Sequence, residues 1–155
     1  MPVVFGGELV GYVERGVLSE QARRLKGLVV RRGLGGAKWI PSRLIETLGS
    51  RCVIVTGDAT RMPKLAQTNF SQAFLTTGQR LGVMSDALLS SETLAVVALE
   101  VGGAPPFGLT GAKRYLTRYS VRPESGAGQP TSYEIVAAEA IRWEALAKNG
   151  EEGQP

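Results

Sequence analysis

The sequence predicts an all-β protein made of two small barrels in tandem, with a short connecting segment between them and a C-terminal helix. Two observations predict this fold. Residues 7–30 align without a gap to residues 78–101 at a constant offset of 71, and self-similarity of this kind indicates a repeated structural unit. Each copy also contains short β-favouring runs separated by glycine-rich turns, which is typical of small all-β folds.

The repeat is carried by glycine positions and apolar rhythm together. The identical residues are Gly7, Gly11, Leu18, Ser19, Leu28 and Val30, matched by Gly78, Gly82, Leu89, Ser90, Leu99 and Val101. Further along, the alignment pairs 36–40 with 111–116 around an inserted Arg114, Ile45 with Val121, and 52–55 with 133–136. We therefore expect both copies to have one topology, with Gly11 and Gly82 placed where a β-carbon would collide with a neighbouring strand or force a bulge.

Unit 1 is predicted over residues 1–58. Its strands are expected at residues 3–5, 9–14, 17–19, 25–32, 37–41 and 51–56, and only residues 43–48 have a helical pattern. Gly33, Gly35 and Gly36 would supply the positive φ angles of a hairpin turn between Val30 and Trp39. Six strands in so short a segment suit a barrel, which leaves few exposed edges.

The rest of the chain divides into a linker, a second unit and a tail. Residues 59–73 are predicted as the linker, with a short helix beginning at Pro63. Unit 2 follows over 74–137 and carries two loops absent from unit 1, one around Phe107 and one over 123–130. Residues 138–155 are assigned to a C-terminal helix and tail, the helical pattern running over 137–148 up to a stop at Asn149 and Gly150.

Composition narrows the functional classes. Apolar residues make up 43% and charged residues 21%, as in soluble globular proteins, and neither a run long enough to span a bilayer nor a secretory start is present. We expect a cytoplasmic protein. Histidine is absent and Cys52 is the single cysteine, which removes the commonest general base and the ligands of a zinc site. No catalytic, cofactor-binding or metal-binding residue is predicted, and we expect no enzymatic activity.

Positive charge is concentrated in the first half of the chain. Residues 1–72 contain 11 Lys/Arg against 5 Asp/Glu, and residues 73–155 contain 7 against 9. Alternation along a regular hairpin would place Arg24, Lys26 and Arg32 on one side, where they are candidates for binding an anionic partner. A purely solvated charged face is the other interpretation.

Aromatic residues give a second set of candidates. Phe107, Tyr119 and Trp143 lie in segments peculiar to unit 2 or the tail, and large aromatics dominate interface energetics. Trp39 and Tyr115 are equivalent in the repeat and are expected in the core or at a barrel mouth. Asp86, opposite Arg15 in the repeat, is expected to accept hydrogen bonds at a turn.

The pattern of both units resembles a known family. It consists of a glycine, an apolar pair, a second glycine, an acidic residue such as Asp86, a variable turn before a Gly-Leu-Val-like strand, a Trp-Ile-Pro-like strand, a Leu-Ile turn and a valine-rich last strand. This is similar to the PRC-barrel domain family, over nearly all of residues 3–56 and, with insertions, 74–136. The family includes the cytoplasmic part of the photosynthetic reaction-centre H subunit and the C-terminal domain of a ribosome maturation factor.

The resemblance implies an adaptor that holds protein or ribonucleoprotein partners. We therefore expect a non-enzymatic module that presents barrel surfaces to a protein partner. The alternative is association with RNA or the ribosome through the basic face of unit 1, although that hairpin lacks the aromatics with which single-stranded RNA readers stack bases. A homo-oligomer and a small-ligand site between the two barrels are left open by the sequence.

Overall fold

The fold is all-β with one C-terminal helix, as the sequence predicts. The computed structural model describes residues 1–64, 69–102, 113–124 and 132–152, with side chains described as far as residue 149. The chain forms two compact units. Unit 1 comprises Met1–Thr68 with Leu89–Val96, and unit 2 comprises Asn69–Leu88 with Val97–Pro155.

Each unit contains a six-stranded sheet. In unit 1 the strands are β1 (Pro2–Phe5), β2 (Glu8–Leu18), β3 (Leu25–Arg31), β4 (Lys38–Pro41), β5 (Ile45–Leu48) and β6 (Val53–Val55). The second sheet consists of β7 (Asn69–Leu75), β8 (Arg80–Leu89), β9 (Val96–Gly102), β10 (Arg114–Leu116), β11 (Tyr119–Pro123) and β12 (Ser132–Ala137). Helix α1 spans Trp143–Glu152.

The two sheets have the same topology. Their strand orders are β4-β3-β2-β1-β6-β5 and β10-β9-β8-β7-β12-β11, so every strand of unit 2 occupies the place of the strand six earlier. In each sheet the first strand in sequence pairs in parallel with the last, β1 with β6 and β7 with β12. The predicted topological equivalence of residues 7–30 and 78–101 is therefore confirmed.

Each sheet must curl, because the chain after its last strand is too short to reach the far edge of a flat sheet. Thr60 exchanges two backbone hydrogen bonds of 2.8 Å with Trp39 on the outer edge of β4. In a flat sheet a segment paired to that edge would lie five strand spacings from β6, about 24 Å, whereas the five residues after Val55 reach at most about 17 Å. Ile141 binds Tyr115 on β10 in the same way, at 2.8 and 2.9 Å, only four residues after β12. Each sheet is thus a half-barrel whose β4 or β10 edge is covered.

Gly11 and Gly82 occupy corresponding places beside corresponding bulges. The β1–β2 register shifts between Val3 and Val4, and the β7–β8 register shifts between Ala73 and Phe74. A β-carbon on Gly11 would lie 2.9 Å from the backbone oxygen of Arg31. Gly82 has a φ of 141°, which side chains of L-residues rarely tolerate. The expectation for both glycines is borne out, by close approach in one unit and by backbone conformation in the other.

Corresponding turns use the repeated serine. In unit 1 the hydroxyl of Ser19 accepts hydrogen bonds from the backbone N–H groups of Arg23 and Arg24, both at 3.2 Å. The hydroxyl of Ser90 accepts from the N–H of Thr93 at 3.3 Å. Local acceptance of this kind is why serine favours turns, and it explains one identity of the repeat.

Several local predictions were wrong in register or type. Residues 43–48 were expected to be helical, but a 3₁₀ turn at Ser42–Leu44 leads directly into strand β5. The two strands expected at 9–14 and 17–19 are one bulged strand, β2. Of the three loop glycines, only Gly33 has a positive φ, of 57°. Strand β7 begins at Asn69, inside the segment expected as linker.

The later part of the repeat also needed correction. Strand pairing places Lys38 opposite Val30 and Arg114 opposite Val101, so Arg114 is an equivalent of Lys38 and not an insertion. Ile45 corresponds to Tyr119, since these pair with Val55 and Ala137 respectively. A bulge between Tyr133 and Ile135 shifts β12 by one residue relative to the predicted alignment.

The C-terminal helix is shorter at its start than expected and longer at its end. Ala137 completes the β12 ladder and the backbone of Ile141 pairs with Tyr115, so the helix begins only after these residues, at Trp143. The helix then continues through Asn149 and Gly150, which were expected to stop it. Asp86 lies within β8 rather than at a turn, and its carboxylate accepts from the adjacent Ala87 N–H at 2.8 Å.

The core of each unit lies on the concave face of its sheet. Fully buried side chains are Val3, Val17, Val30, Ile40 and Val53 in unit 1, and Leu99, Val101, Leu116 and Ile135 in unit 2. Trp39 and Tyr115 are both buried, as expected. The linker helix at 65–67, the loop containing Phe107 and the loop over 125–130 lie outside the described residues.

Candidate functional site

The basic residues of the first hairpin are spread along one strand. Arg24 precedes β3, where its backbone forms a bridge with Ala95 of the segment Leu89–Val96 within unit 1. Arg32 follows the other end of the strand, eight residues away, which corresponds to roughly 26 Å along an extended chain. Lys26 is half-buried between them. That these three cations form one binding face stays a prediction, and their spacing along β3, most of whose residues are buried, does not favour it.

The remaining cations at the far end of the hairpin already have local partners. The Arg31 guanidinium lies 3.4 Å from the Glu14 carboxylate and donates to the Gly35 carbonyl at 3.1 Å. Arg32 donates from Nη1 to the Leu9 carbonyl at 3.0 Å. These contacts attach Arg31 to the β3–β4 turn and attach both arginines to β2.

The three aromatic candidates have different positions. Tyr119 is 6% exposed and belongs to the unit 2 core, so it offers little area to a partner. Phe107 lies outside the described residues. Trp143 is 53% exposed and is the aromatic candidate that lies on an accessible surface.

Trp143 is positioned by the chain that covers β10. Because Ile141 is hydrogen-bonded to Tyr115, Trp143 two residues later begins α1 directly over the Tyr115 ring. The ring centroids are 5.4 Å apart with an interplanar angle of 57°, a tilted arrangement that aromatic pairs favour. The two rings line a cavity of about 450 Å³, which we call the Trp143 pocket; its other lining residues are Lys113, Arg114, Arg142 and Glu144.

Glu100 lies next to the pocket. Among the residues that the structure describes, it is the one charged residue that is buried. Ser85 Oγ donates to Glu100 Oε1 at 2.8 Å, and Tyr115 OH donates to Oε2 at 3.1 Å. Lys113 Nζ lies 3.0 Å from Oε1. Both carboxylate oxygens are thus satisfied, as a buried charge requires, and the Tyr115 ring that forms the pocket floor is fixed from beneath.

The network shifts three pKa values. Burial of Glu100 acts to raise its pKa, but the hydrogen bonds from Lys113, Ser85 and Tyr115 together outweigh burial and hold the pKa below its ordinary value. The pKa of Lys113 is raised, first by its hydrogen bond to Glu100 and then by the attraction between their charges. Burial, followed by the hydrogen bond to Glu100, raises the pKa of Tyr115.

Arg114 adds an unsatisfied group to the pocket wall. Its Nη1 is buried and has no hydrogen-bond partner within the described residues. A buried donor without a partner is costly, and such groups in native structures call for an explanation by a missing ligand or solvent.

Unit 1 fills the equivalent place with hydrophobic side chains. Val17, Val29 and Trp39 form a buried cluster there, with Ala37 and Met62 packed against it. The repeat and the strand pairing identify the unit 2 counterparts, which are Glu100 for Val29, Tyr115 for Trp39, Lys113 for Ala37 and Trp143 for Met62. Unit 2 therefore has a polar network beneath a half-exposed tryptophan where unit 1 has a closed apolar cluster.

Sequence reasoning identified Trp143 but missed Glu100, Lys113 and Arg114. One signal was present, since Glu100 interrupts the apolar strand VVALEV at a place where unit 1 has valine. The partners of Glu100 could not be paired with it in advance, because they come from β8, β10 and the residue before β10.

The described residues give no sign of two other kinds of site. Among them, no three His, Cys, Asp or Glu side chains are grouped as metal ligands would be. None of their helices has the length and apolar character needed to cross a membrane.

Comparison of the chain with models of known protein families returns no match, and comparison with curated proteins returns none either. The functional argument therefore depends on the geometry of the two units.

Proposed function

We propose that the protein is a non-enzymatic cytoplasmic binding module, of the adaptor kind that its PRC-barrel resemblance implies, and that unit 2 holds a protein partner in the Trp143 pocket. One observation carries this proposal. At positions that unit 1 closes with Val29, Ala37 and Met62, unit 2 has a satisfied polar network supporting an exposed aromatic ring. This arrangement gives up apolar contacts in the core of unit 2, and it is what we expect of a surface that binds a partner.

The chemistry of the pocket favours a partner with an acidic and an apolar residue side by side. Trp143 offers a large aromatic surface of the kind found at interface hot spots. The charge of Lys113 is compensated by Glu100, so recognition of a carboxylate falls to Arg114 and Arg142. An arginine guanidinium binds carboxylates in a bidentate manner, and Arg114 has an unsatisfied nitrogen.

Catalysis is disfavoured by the state of the network. The Glu100 carboxylate accepts from three side chains and has a lowered pKa, which makes it a poor general base. Tyr115 has a raised pKa and is a correspondingly poor source of a phenolate.

RNA association is disfavoured by the spread of the cations expected to contact it, since Arg24 and Arg32 lie at opposite ends of β3. Single-stranded RNA sites also interleave aromatics with cations, and residues 23–32 contain no aromatic residue.

The test compares capture from nuclease-treated native lysate by the wild type, Trp143→Ala and Tyr12→Ala. Tyr12, at 52% exposure in unit 1, is a control matched to Trp143 at 53%. We expect a protein that is retained by the wild type and Tyr12→Ala and lost by Trp143→Ala. Retention that is unchanged in Trp143→Ala, or that disappears on nuclease treatment, contradicts the proposal.

A further inference from the structure

A second cavity lies in unit 1, at the end formed by the β1–β2 and β3–β4 turns. Its volume is about 360 Å³, within the range of small-ligand sites. We call it the Arg32 pocket. The lining includes an apolar portion, formed by Phe5, Leu9, Val10 and Val30, and the turn residues Gly35 and Gly36.

Four charged residues surround this apolar portion. Arg32 and Lys38 are cationic, and Glu8 and Asp58 are anionic. The ion pairs among the described residues join Arg31 to Glu14, Lys113 to Glu100 and Arg122 to Glu134. No cationic nitrogen of these four residues lies within 4.0 Å of a carboxylate oxygen of another. Opposite charges therefore face one cavity without forming an ion pair with each other.

Two of these groups are held in place. Arg32 Nη1 donates to the Leu9 carbonyl at 3.0 Å, which fixes one edge of the guanidinium and leaves its other nitrogens for a ligand. Asp58 Oδ1 accepts from the Ala59 N–H at 2.8 Å, which leaves the second carboxylate oxygen. Positions fixed in this way lower the entropy lost when a ligand binds.

Two features of the pocket are peculiar to unit 1. In the gapless part of the repeat, Glu8 corresponds to Gln79 and Leu9 to Arg80, so unit 2 has neither the carboxylate nor the apolar side chain at these places. Lys38 and Asp58 have charged counterparts in unit 2, Arg114 and Glu139, so only the Glu8 carboxylate and the apolar Leu9 go beyond the shared pattern.

We propose that the Arg32 pocket binds a small zwitterion with an apolar body, of amino-acid or short-peptide chemistry. The ligand carboxylate would bind Arg32 and Lys38, its ammonium group would bind Glu8 and Asp58, and its side chains would cover Phe5 and Leu9. A simple anion would meet two repelling carboxylates, and a simple cation would meet two repelling basic groups. A ligand with both charges is the chemistry that all four groups favour.

The experiment is a titration of the full chain followed by backbone amide chemical shifts. The probes are L-leucine and the dipeptide leucyl-leucine, each compared with its N-acetylated and C-amidated forms, and inorganic phosphate. At least one zwitterion should produce saturable shifts at Gly35 and Gly36, and blocking either end should weaken binding about tenfold, the value of one charge-assisted hydrogen bond. Absence of saturable shifts with both zwitterions, equal binding of blocked forms, or equal shifts with phosphate overturns the proposal.

Variants locate the site independently of the blocked ligands. Lys38→Gln and Glu8→Gln should each weaken zwitterion binding about tenfold, whereas Arg43→Gln, a charge loss in unit 1 outside the pocket, should not. Trp143→Ala should leave this binding intact, so failure here is distinguishable from failure of the proposed protein-binding function. Equal weakening by Arg43→Gln overturns the assignment, and the comparison of blocked and free ligands on the wild type decides the question if a variant does not fold.

Discussion

At the scale of single residues, the same sequence position can be constrained for different physical reasons. Gly11 is required by the close approach of Arg31, and Gly82 by its backbone φ. A glycine match in a repeat thus predicted the position correctly without predicting the cause. Glu100 is the opposite case, since the repeat predicted an apolar residue where unit 2 has a buried charge.

Gly82→Val should destabilise the protein by about 1–3 kcal/mol, because a β-branched side chain is strained at this φ. Urea unfolding followed by circular dichroism measures the change. Gly36→Ala is the matched control, since Gly36 has open space around its Cα and no positive φ. Equal stability of Gly82→Val and wild type would mean that the strand relaxes around the new side chain.

Glu100→Gln should reduce the free energy of unfolding in a pH-dependent manner. The folded pKa of Glu100 lies below its ordinary value of 4.5, so the ionised form stabilises the fold above pH 4.5, and this contribution is lost as pH falls through the folded pKa. The gap between wild type and variant should therefore be wide at pH 7 and narrow under acid conditions. Glu144→Gln controls for loss of an exposed charge, and a gap that stays constant with pH would refute the role given to Glu100.

At the scale of elements, strands were predictable where glycine and apolar spacing set them, and failed where tertiary pairing decided. Ile45 and Thr47 follow Pro41 and Ser42 in a segment with a helical rhythm, yet their backbone pairs with β6. The alanines from Ala137 onwards suggested a helix. Ala137 instead belongs to the β12 ladder, and Ile141 forms a backbone bridge with Tyr115. Both errors arise because long-range hydrogen bonds override local propensity.

Gly27 of strand β3 packs tightly against Trp39, and unit 2 has different residues at both places. A β-carbon on Gly27 would overlap the Trp39 ring and lie 2.6 Å from the backbone oxygen of Ile40, whereas the unit 2 counterparts of Gly27 and Trp39 are the buried Ala98 and the smaller Tyr115. Gly27→Ala should cost about 1–3 kcal/mol through overpacking. Adding Trp39→Tyr should restore part of that loss, giving a favourable coupling of about 0.5–3 kcal/mol in a double-mutant cycle measured by urea unfolding. Additive effects would show that the ring is not what excludes the β-carbon.

At the scale of the whole molecule, the sequence repeat was sufficient to predict two units with one topology. The candidate site was predictable only in part. Trp143 could be named from its position outside the repeat, but its placement over Tyr115 depends on the Ile141 bridge. The network around Glu100 depends on strands whose pairing was not known from the sequence. The basic face stays a prediction, because charge counts do not show how cations close in sequence are arranged along a largely buried strand.

The central claim is that the Trp143 pocket binds an acidic and apolar segment of a protein. Peptides selected from a random library on the wild type provide the most direct test, through their equilibrium affinities for wild type, Trp143→Ala and Tyr12→Ala. Selected peptides should carry Asp or Glu beside a large apolar residue. Trp143→Ala should weaken binding about thirtyfold, about 2 kcal/mol, and Tyr12→Ala by less than about twofold. Selected peptides without acidic residues, or equal affinity for Trp143→Ala and wild type, would contradict the claim.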